Sequence, residues 1–153
     1  MGLEPISLLA GFLVPLWDLP RFVALQLPSR GRTLKAISTS QYERMLALQL
    51  SNMFGLVSMI AVGVLYGTSE ISVVRKYLIA CALGDVGHLW AVYAGMGHED
   101  FFNISNWNEY AWGSIGFTAL LLVCRLLYLA GFFGPDVGTG GDEKLLKPNK
   151  RRD

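Results

Sequence analysis

Four long apolar segments, separated by short polar stretches, constrain the fold of this chain more than any other feature. They cover residues 5–27, 46–66, 77–95 and 110–133 of the 153. The hydrocarbon core of a bilayer is about 30 Å thick, and a helix crosses it with roughly 20 apolar residues. A chain inside that core must pair its own backbone polar groups, which a helix does locally. The sequence therefore predicts an all-α fold, an integral-membrane four-helix bundle.

The charged residues are few and unevenly distributed. Hydrophobic residues make up 52% of the chain and charged residues only 16%, whereas soluble domains carry about 25% charged residues. Nine of the charged residues lie between positions 136 and 153. We therefore expect a membrane domain over residues 1–134, with the lipid bilayer as a partner, and a disordered basic tail over residues 135–153. The net charge of +1 provides no basic stripe for nucleic acid.

A capping motif predicts where the second helix begins. Ser40 and Glu43 are three residues apart and precede an apolar run. In such a capping box each side chain accepts a hydrogen bond from the backbone N–H of the other residue. We therefore expect the helix to begin outside the bilayer and to enter it near Leu46.

The flanking charges predict the orientation of the chain. The basic tail and the pair Arg75 and Lys76 lie on one side of the membrane, and the acidic pair Glu99 and Asp100 lies on the other. Cytosolic loops carry an excess of Lys and Arg, so both termini are expected in the cytosol, at the endoplasmic reticulum membrane. The basic residues near the first connection favour the opposite orientation; they are Arg30, Arg32, Lys35 and Arg44.

Ionisable side chains inside the predicted spans are the strongest functional signal. A charge at the bilayer centre costs at least about 2.5–3.5 kcal/mol, and such residues usually face a bundle interior or a cavity. Asp18 and Arg21 are three residues apart in the first span, as are Asp85 and His88 in the third, and Arg125 lies in the fourth. Residues three apart are neighbours on a helix surface. We therefore predict a polar pocket inside the membrane bundle.

Further polar and aromatic residues are candidates for substrate binding. They are Arg21 in the first span, Gln49 and Asn52 in the second, Trp90 in the third, and Trp112 and Thr118 in the fourth. Structural interpretations stand beside this one. Amides and hydroxyls commonly join membrane helices by hydrogen bonds, tryptophans gather at the membrane interface, and intramembrane arginines pair with carboxylates.

No cofactor or metal site is predicted. Asp85 and His88 have a spacing compatible with a metal ion, but the second histidine, His98, lies outside the span. The chain contains no P-loop and no dinucleotide-binding fingerprint. Cys81 and Cys124 lie inside apolar segments and form no disulfide framework.

Three stretches and two single residues carry a resemblance to a known group of proteins. They are residues 49–52 (QLSN), 84–90 (GDVGHLW) and 107–113 (WNEYAWG), followed by Arg125 and Gly131. Together they resemble a fungal family of small four-helix integral-membrane proteins carried in secondary-metabolite gene clusters. The resemblance covers roughly residues 5–134. That family looks distantly like the emopamil-binding/sigma-2 group, whose members hold amphiphilic ligands in an acidic intramembrane pocket.

The resemblance implies an enzyme that acts on a lipophilic small molecule. Proteins of similar size and layout in fungal polyketide clusters act as epoxide hydrolases or cyclases, so epoxide opening in polyketide biosynthesis is the function expected here. Opening an epoxide needs a base for the nucleophile and an acid for the departing oxygen. Asp85, oriented by His88, is the expected base, and Asp18 or Glu109 is the expected acid.

The remaining candidates have supporting roles in this scheme. Arg21 or Arg125 is expected to keep one carboxylate ionised, while Gln49 and Asn52 position substrate oxygens. Two alternatives use the same residues differently. In an acid-initiated terpenoid or meroterpenoid cyclase or isomerase, aromatic faces stabilise a cation. In a non-catalytic lipid-binding membrane protein, the polar residues only join helices.

Overall fold

A computed structural model describes residues 3–28 and 40–132 of the protein. In this part every long element is helical and none is a strand, which confirms the predicted all-α fold there. The first connection, with Arg30, Arg32 and Lys35, and the tail over residues 135–153 lie outside the described residues. The helices are α1 (Leu3–Trp17), α2 (Leu19–Ala24), α3 (Gln41–Gly67), α4 (Ile71–Met96), α5 (His98–Phe102) and α6 (Glu109–Leu129).

Three of these helices, α3, α4 and α6, are long and apolar enough to cross a membrane, which indicates a membrane protein. They coincide with the second, third and fourth apolar segments of the sequence. The capping box at the start of α3 is confirmed. Glu43 N–H donates to Ser40 Oγ at 3.2 Å, and Ser40 N–H donates to Glu43 Oε2 at 2.7 Å.

The first apolar segment is interrupted at Asp18 and does not form one long helix. The Asp18 side chain accepts a hydrogen bond from Arg21 N–H at 3.1 Å and so begins α2, whose first turn contains Pro20. Proline has no backbone N–H and suits the first turn of a helix, where that donor has no partner within the helix. The 15 residues of α1 extend about 22 Å, less than the hydrocarbon core of a bilayer.

The helix α1 packs along α3 through two reciprocal contacts between a glycine and a phenylalanine. A Cβ added at Gly55 would lie 2.9 Å from the Phe12 ring, and one added at Gly11 would lie 3.1 Å from the Phe54 ring. Each ring therefore occupies the space that a side chain on the opposite helix would need. Small residues at such contacts let two membrane helices approach closely.

Two serine hydroxyls fix the antiparallel register of α1 and α3. Ser51 Oγ donates to the backbone oxygen of Phe12 at 2.6 Å, and Ser58 Oγ donates to that of Pro5 at 3.1 Å. Both serines are buried. The two buried hydroxyls thus join α1 to α3 by hydrogen bonds, as serines commonly do between membrane helices.

The second helix pair, α4 with α6, meets the first pair at one end of the molecule. Phe22 of α2 packs edge-on against Tyr110 of α6, with ring centroids 5.4 Å apart. Asn108 caps α6 by accepting from Ala111 N–H at 2.7 Å, and its Nδ2 donates to the Leu25 carbonyl at 3.0 Å. We call this region the α2–α6 joint. It positions the start of α6 and hence the polar residues that follow.

We predict that Gly55→Ala destabilises the protein, because the added methyl group meets the Phe12 ring. The expected loss is about 1–3 kcal/mol of unfolding free energy, the usual cost of overpacking. Gly87→Ala is the matched control, since a Cβ there meets nothing within 4 Å. Because alanine favours a helix more than glycine does, this variant should keep its unfolding free energy or gain up to about 1 kcal/mol. Denaturant titration in mixed micelles measures both. Equal stability of the two variants would show that the Gly55 contact is unimportant.

Candidate functional site

A buried ion pair joins α4 to α6. Arg125 Nη1 donates to Asp85 Oδ2, and only 6% of the arginine side chain and 14% of the aspartate side chain are exposed. The two residues lie 40 positions apart in the sequence and on different helices. Each charge inside an apolar surrounding is costly alone, and pairing offsets much of that cost. The contact therefore sets how the two helices lie against each other.

A second polar contact lies beside this pair. His88 Nε2 and Ser114 Oγ are 3.0 Å apart, and which atom donates depends on the histidine tautomer. His88 and Asp85 are three residues apart on α4 and so share a helix face. We call Asp85, His88, Ser114 and Arg125 the α4–α6 cluster.

Ser114 reaches His88 from an irregular stretch of α6. Residues Trp112–Phe117 form a π-helical turn, which holds more residues per turn than an α-helix. Such turns are rare and occur frequently at functional sites. The Trp112 ring covers Gly116, where an added Cβ would lie 3.0 Å from it, and packs edge-on against Trp107 at 5.1 Å. The distortion thus coincides with the polar contact of this helix.

The other two predicted catalytic residues, Asp18 and Glu109, lie at the α2–α6 joint together with Arg21, a predicted substrate-binding residue. Arg21 Nη2 donates to Glu109 Oε1 at 2.7 Å, and both side chains are largely exposed, at 59% and 67%. Asp18 is exposed and caps α2. The structure therefore brings Asp85, His88 and Arg125 together in one place and Asp18, Arg21 and Glu109 in another.

The predicted substrate-binding residues are dispersed. Gln49 and Asn52 are exposed on α3, and Trp90 on α4 is 69% exposed. Trp112 belongs to the π-helical turn, and Thr118 is half-buried one turn beyond Ser114. Thus Trp112 precedes Ser114 on α6 and Thr118 lies between Ser114 and Arg125, whereas the two amides lie on the other helix pair.

A small apolar cavity of about 220 Å³ lies between α2 and α3, below the roughly 300 Å³ of the smallest usual ligand pockets. Its lining residues are Phe22, Val23, Gln26, Glu43, Leu46, Ala47 and Leu50. None of them belongs to the α4–α6 cluster. Among residues 3–28 and 40–132, no three His, Cys, Asp or Glu side chains gather in a way that could hold a metal ion.

Two residues of the site region were not among the predicted site residues. Ser114 and Asn108 are single polar residues in or next to an apolar segment, and such residues are common in helix bundles. The spacing of eleven residues between Ser114 and Arg125 equals about three helical turns. That spacing is the sequence signal that could have placed Ser114 on the same helix face as Arg125. Asn108 precedes an apolar run and so has the position of a helix cap, but no local pattern marks its bond to the Leu25 carbonyl, which is 83 residues away.

A protein-family model described as a domain of unknown function (DUF7704) matches residues 1–135 of the chain. No curated protein and no solved structure matches it.

We predict that Arg125→Met destabilises the protein by about 3–5 kcal/mol, because it leaves the Asp85 carboxylate buried without its cation. The double variant Asp85→Leu/Arg125→Met should recover most of that loss, since apolar side chains of similar volume replace both charges. Unfolding free energies in micelles measure the coupling between the two positions.

The exposed pair at the α2–α6 joint provides the comparison. Arg21→Met should cost no more than about 1 kcal/mol, the usual range for an ion pair in contact with solvent. A loss for Arg125→Met as small as that for Arg21→Met would contradict the structural role assigned to the buried pair.

Proposed function

The chain belongs to the family of the domain of unknown function (DUF7704), whose description states no activity, and we propose its function from the α4–α6 cluster. In this proposal the protein is a membrane-embedded epoxide hydrolase or cyclase. It opens an epoxide of a lipophilic polyketide by acid–base catalysis, as a step in natural-product biosynthesis. Asp85 is the base, and the bilayer delivers the substrate.

The single observation that carries this proposal is the buried contact between Asp85 and Arg125. A neighbouring cation favours the ionised form of a carboxylate, so Asp85 can accept a proton. An acid-initiated cyclase instead needs a carboxylic acid that still holds its proton. The contact with Arg125 therefore favours epoxide opening over that alternative.

The chemical step balances with residues of the cluster. Asp85 takes a proton from a water molecule or a substrate hydroxyl, and the resulting oxygen nucleophile attacks one epoxide carbon. The bond from that carbon to the epoxide oxygen breaks, and a ring N–H of His88 gives its proton to the departing oxygen while the other ring nitrogen takes up the proton from Asp85. This exchange restores the carboxylate of Asp85 and leaves the His88 ring with one proton, as at the start. Water as nucleophile yields a diol, and an internal hydroxyl yields a cyclic ether.

Assigning the proton donor to His88 departs from the two acids expected from the sequence. Glu109 accepts from Arg21 Nη2, and the Asp18 carboxylate accepts from Arg21 N–H. Both carboxylates therefore lie with Arg21 at the α2–α6 joint and not in the α4–α6 cluster that holds Asp85. His88 lies one turn from Asp85, and its contact with Ser114 orients the imidazole ring. We therefore place Asp18, Arg21 and Glu109 in a positioning role at the end of α6.

Exposed backbone beside Asp85 supports a lipophilic substrate that approaches from the lipid. Gly84 and Gly87 flank Asp85 on α4, and a Cβ added at either glycine would meet nothing within 4 Å. The backbone is therefore open next to the proposed base. Trp112 precedes Ser114 on α6 and Thr118 follows it by one turn, and these two residues are the substrate contacts we propose. A lipophilic substrate dissolved in the bilayer would approach Asp85 along the side of α4 that carries Gly84 and Gly87.

One observation favours a second candidate, the non-catalytic lipid-binding protein. Each member of the cluster already has a polar partner within the cluster, Asp85 with Arg125 and His88 with Ser114. Such contacts are what helix-joining residues make. The two candidates differ in whether Asp85→Asn stops a chemical reaction.

For cellular placement we propose the endoplasmic reticulum membrane, with four membrane-inserted segments and cytosolic termini. Arg75 and Lys76 lie exposed near the start of α4, whereas Glu99 and Asp100 follow its end. The first turns of α4 thus carry basic residues and the segment after its end carries acidic ones, which is the asymmetry that the positive-inside rule uses.

We predict that microsomes bearing the protein convert a polyene epoxide in ¹⁸O-labelled water to a diol that carries one label. Asp85→Asn should lower the rate by at least about 10²-fold, the usual contribution of a general base. Glu70→Gln makes the same chemical change at an exposed position next to α4 and should keep the rate. Mass spectrometry of the product measures both the rate and the label.

Three outcomes decide among the candidates. If the folded Asp85→Leu/Arg125→Met variant is inactive, the loss is chemical and not a loss of structure. If the wild-type protein converts no epoxide to a diol or a cyclic ether, the enzymatic proposal fails. Conversion of a prenylated substrate that has no epoxide would support the cyclase alternative instead.

A further inference from the structure

The face of α3 that points away from α1 carries a continuous exposed stripe. Its residues recur at alternating spacings of three and four, the pattern of the contact line in a coiled coil. We call this stripe the α3 seam. Its members, all exposed, are Tyr42, Met45, Gln49, Asn52, Leu56, Met59, Gly63 and Tyr66.

The opposite face of α3 is already occupied. Ala47, Ser51 and Ser58 are buried there, and α1 packs along them through the contacts of Phe12 and Pro5. The seam is therefore free of α1. Its apolar members are among the most exposed of the protein, with Met45 at 63%, Met59 at 67% and Tyr66 at 71%.

Two side-chain amides in the seam distinguish it from an ordinary lipid-facing surface. If α3 enters the bilayer near Leu46, Asn52 lies about 9 Å inside the hydrocarbon core. Gln49 and Asn52 would then be surrounded by lipid tails, which offer no hydrogen bond. Burying an amide without a partner is costly, whereas amides that meet across helices stabilise their association.

The chemistry of an amide identifies the partner. All copies of the chain insert into a membrane with the same topology, so the α3 helices of two copies run parallel. In a parallel two-fold pair, each seam residue lies next to the same residue of the other copy. A carboxamide both donates and accepts hydrogen bonds, so Gln49 can pair with Gln49 and Asn52 with Asn52. A seam with ionised side chains at these positions would repel its own copy.

We propose that the α3 seam is the interface of a homodimer, in which a second copy of this chain covers Gln49 and Asn52. Gly63 suits this arrangement, since a Cβ there meets nothing within the chain and its absence allows close approach. The proposal assigns the two amides to assembly and not to substrate binding. It does not depend on the proposed catalytic function.

Cysteine crosslinking tests the geometry. The two native cysteines, Cys81 and Cys124, are replaced by alanine, and the purified protein is reconstituted in phosphatidylcholine vesicles. Leu56→Cys places a thiol in the seam, and Leu50→Cys places one on α3 outside it; both leucines are exposed. Oxidation should link Leu56→Cys into a covalent dimer at least about tenfold faster than Leu50→Cys, because residues at a coiled-coil contact line fall within disulfide range.

Equal rates for the two cysteine variants would overturn the proposed interface, as would the absence of any covalent dimer. Only copies of this chain are present in the vesicles. If the α3 seam instead contacts a different protein or lipid, no preferential crosslinking of Leu56→Cys is expected. Loss of epoxide conversion has no bearing on this readout.

Removal of the amides tests the chemistry. Gln49→Leu and Asn52→Leu should each weaken dimerisation about threefold to tenfold, the range expected for one interhelical hydrogen bond. Gln41→Leu is the matched control, because this amide begins α3 outside the seam and should leave the dimer unchanged. Energy transfer between labelled copies in vesicles, measured against protein-to-lipid ratio, gives the dissociation constants. A dimer as strong in Gln49→Leu/Asn52→Leu as in the wild type would overturn the role of the amides.

Discussion

The scarcity of hydrogen-bond partners in a lipid surrounding governs most of this structure. A polar side chain at membrane depth needs a protein partner, in the same chain or in another copy, and the buried contact between Asp85 and Arg125 is the strongest case. It forces α4 and α6 into one relative position, because moving either helix by a turn would separate two charges. The contact between His88 and Ser114 follows from that position, as both residues lie on the faces that the ion pair brings together.

The two helix pairs associate through different kinds of contact. The helices α1 and α3 approach through glycines beneath phenylalanine rings, and the two serine hydroxyls that cross between them bond backbone oxygens. No described contact between these two helices needs a charge. The helices α4 and α6 meet around a charged pair and an irregular π-helical turn. Close packing tolerates few substitutions but supplies no reactive group, whereas the charged pair supplies one. This difference is why the chemistry is assigned to α4 and α6.

Sequence reasoning succeeded where the determining signal is local. The lengths of apolar runs predicted α3, α4 and α6, and the motif formed by Ser40 and Glu43 predicted the start of α3. It also paired Asp85 with His88 on one face and named Arg125 as a partner of a carboxylate. It could not choose between Arg21 and Arg125 for that role, because the choice depends on which helices are neighbours. The same limit applies to glycines: Gly55 and Gly87 look equivalent in sequence, yet only Gly55 lies beneath a ring.

Gln49 and Asn52 show a further limit of the same kind. Their polarity and their position in an apolar segment led to the same interpretation as Asp85, a lining of one shared pocket. An amide and a carboxylate nevertheless impose different requirements. A carboxylate needs a cation or a proton, which another copy of itself cannot provide, so Asp85 must be satisfied by a different side chain. An amide can be satisfied by an identical amide, so it is able to stay on an outer helix face in a membrane that contains further copies. Polar residues that are costly to place in lipid thus fall into two groups. Those that need a different side chain as partner, such as Asp85, are catalytic candidates, and those that an identical side chain can satisfy, such as Gln49 and Asn52, are assembly candidates.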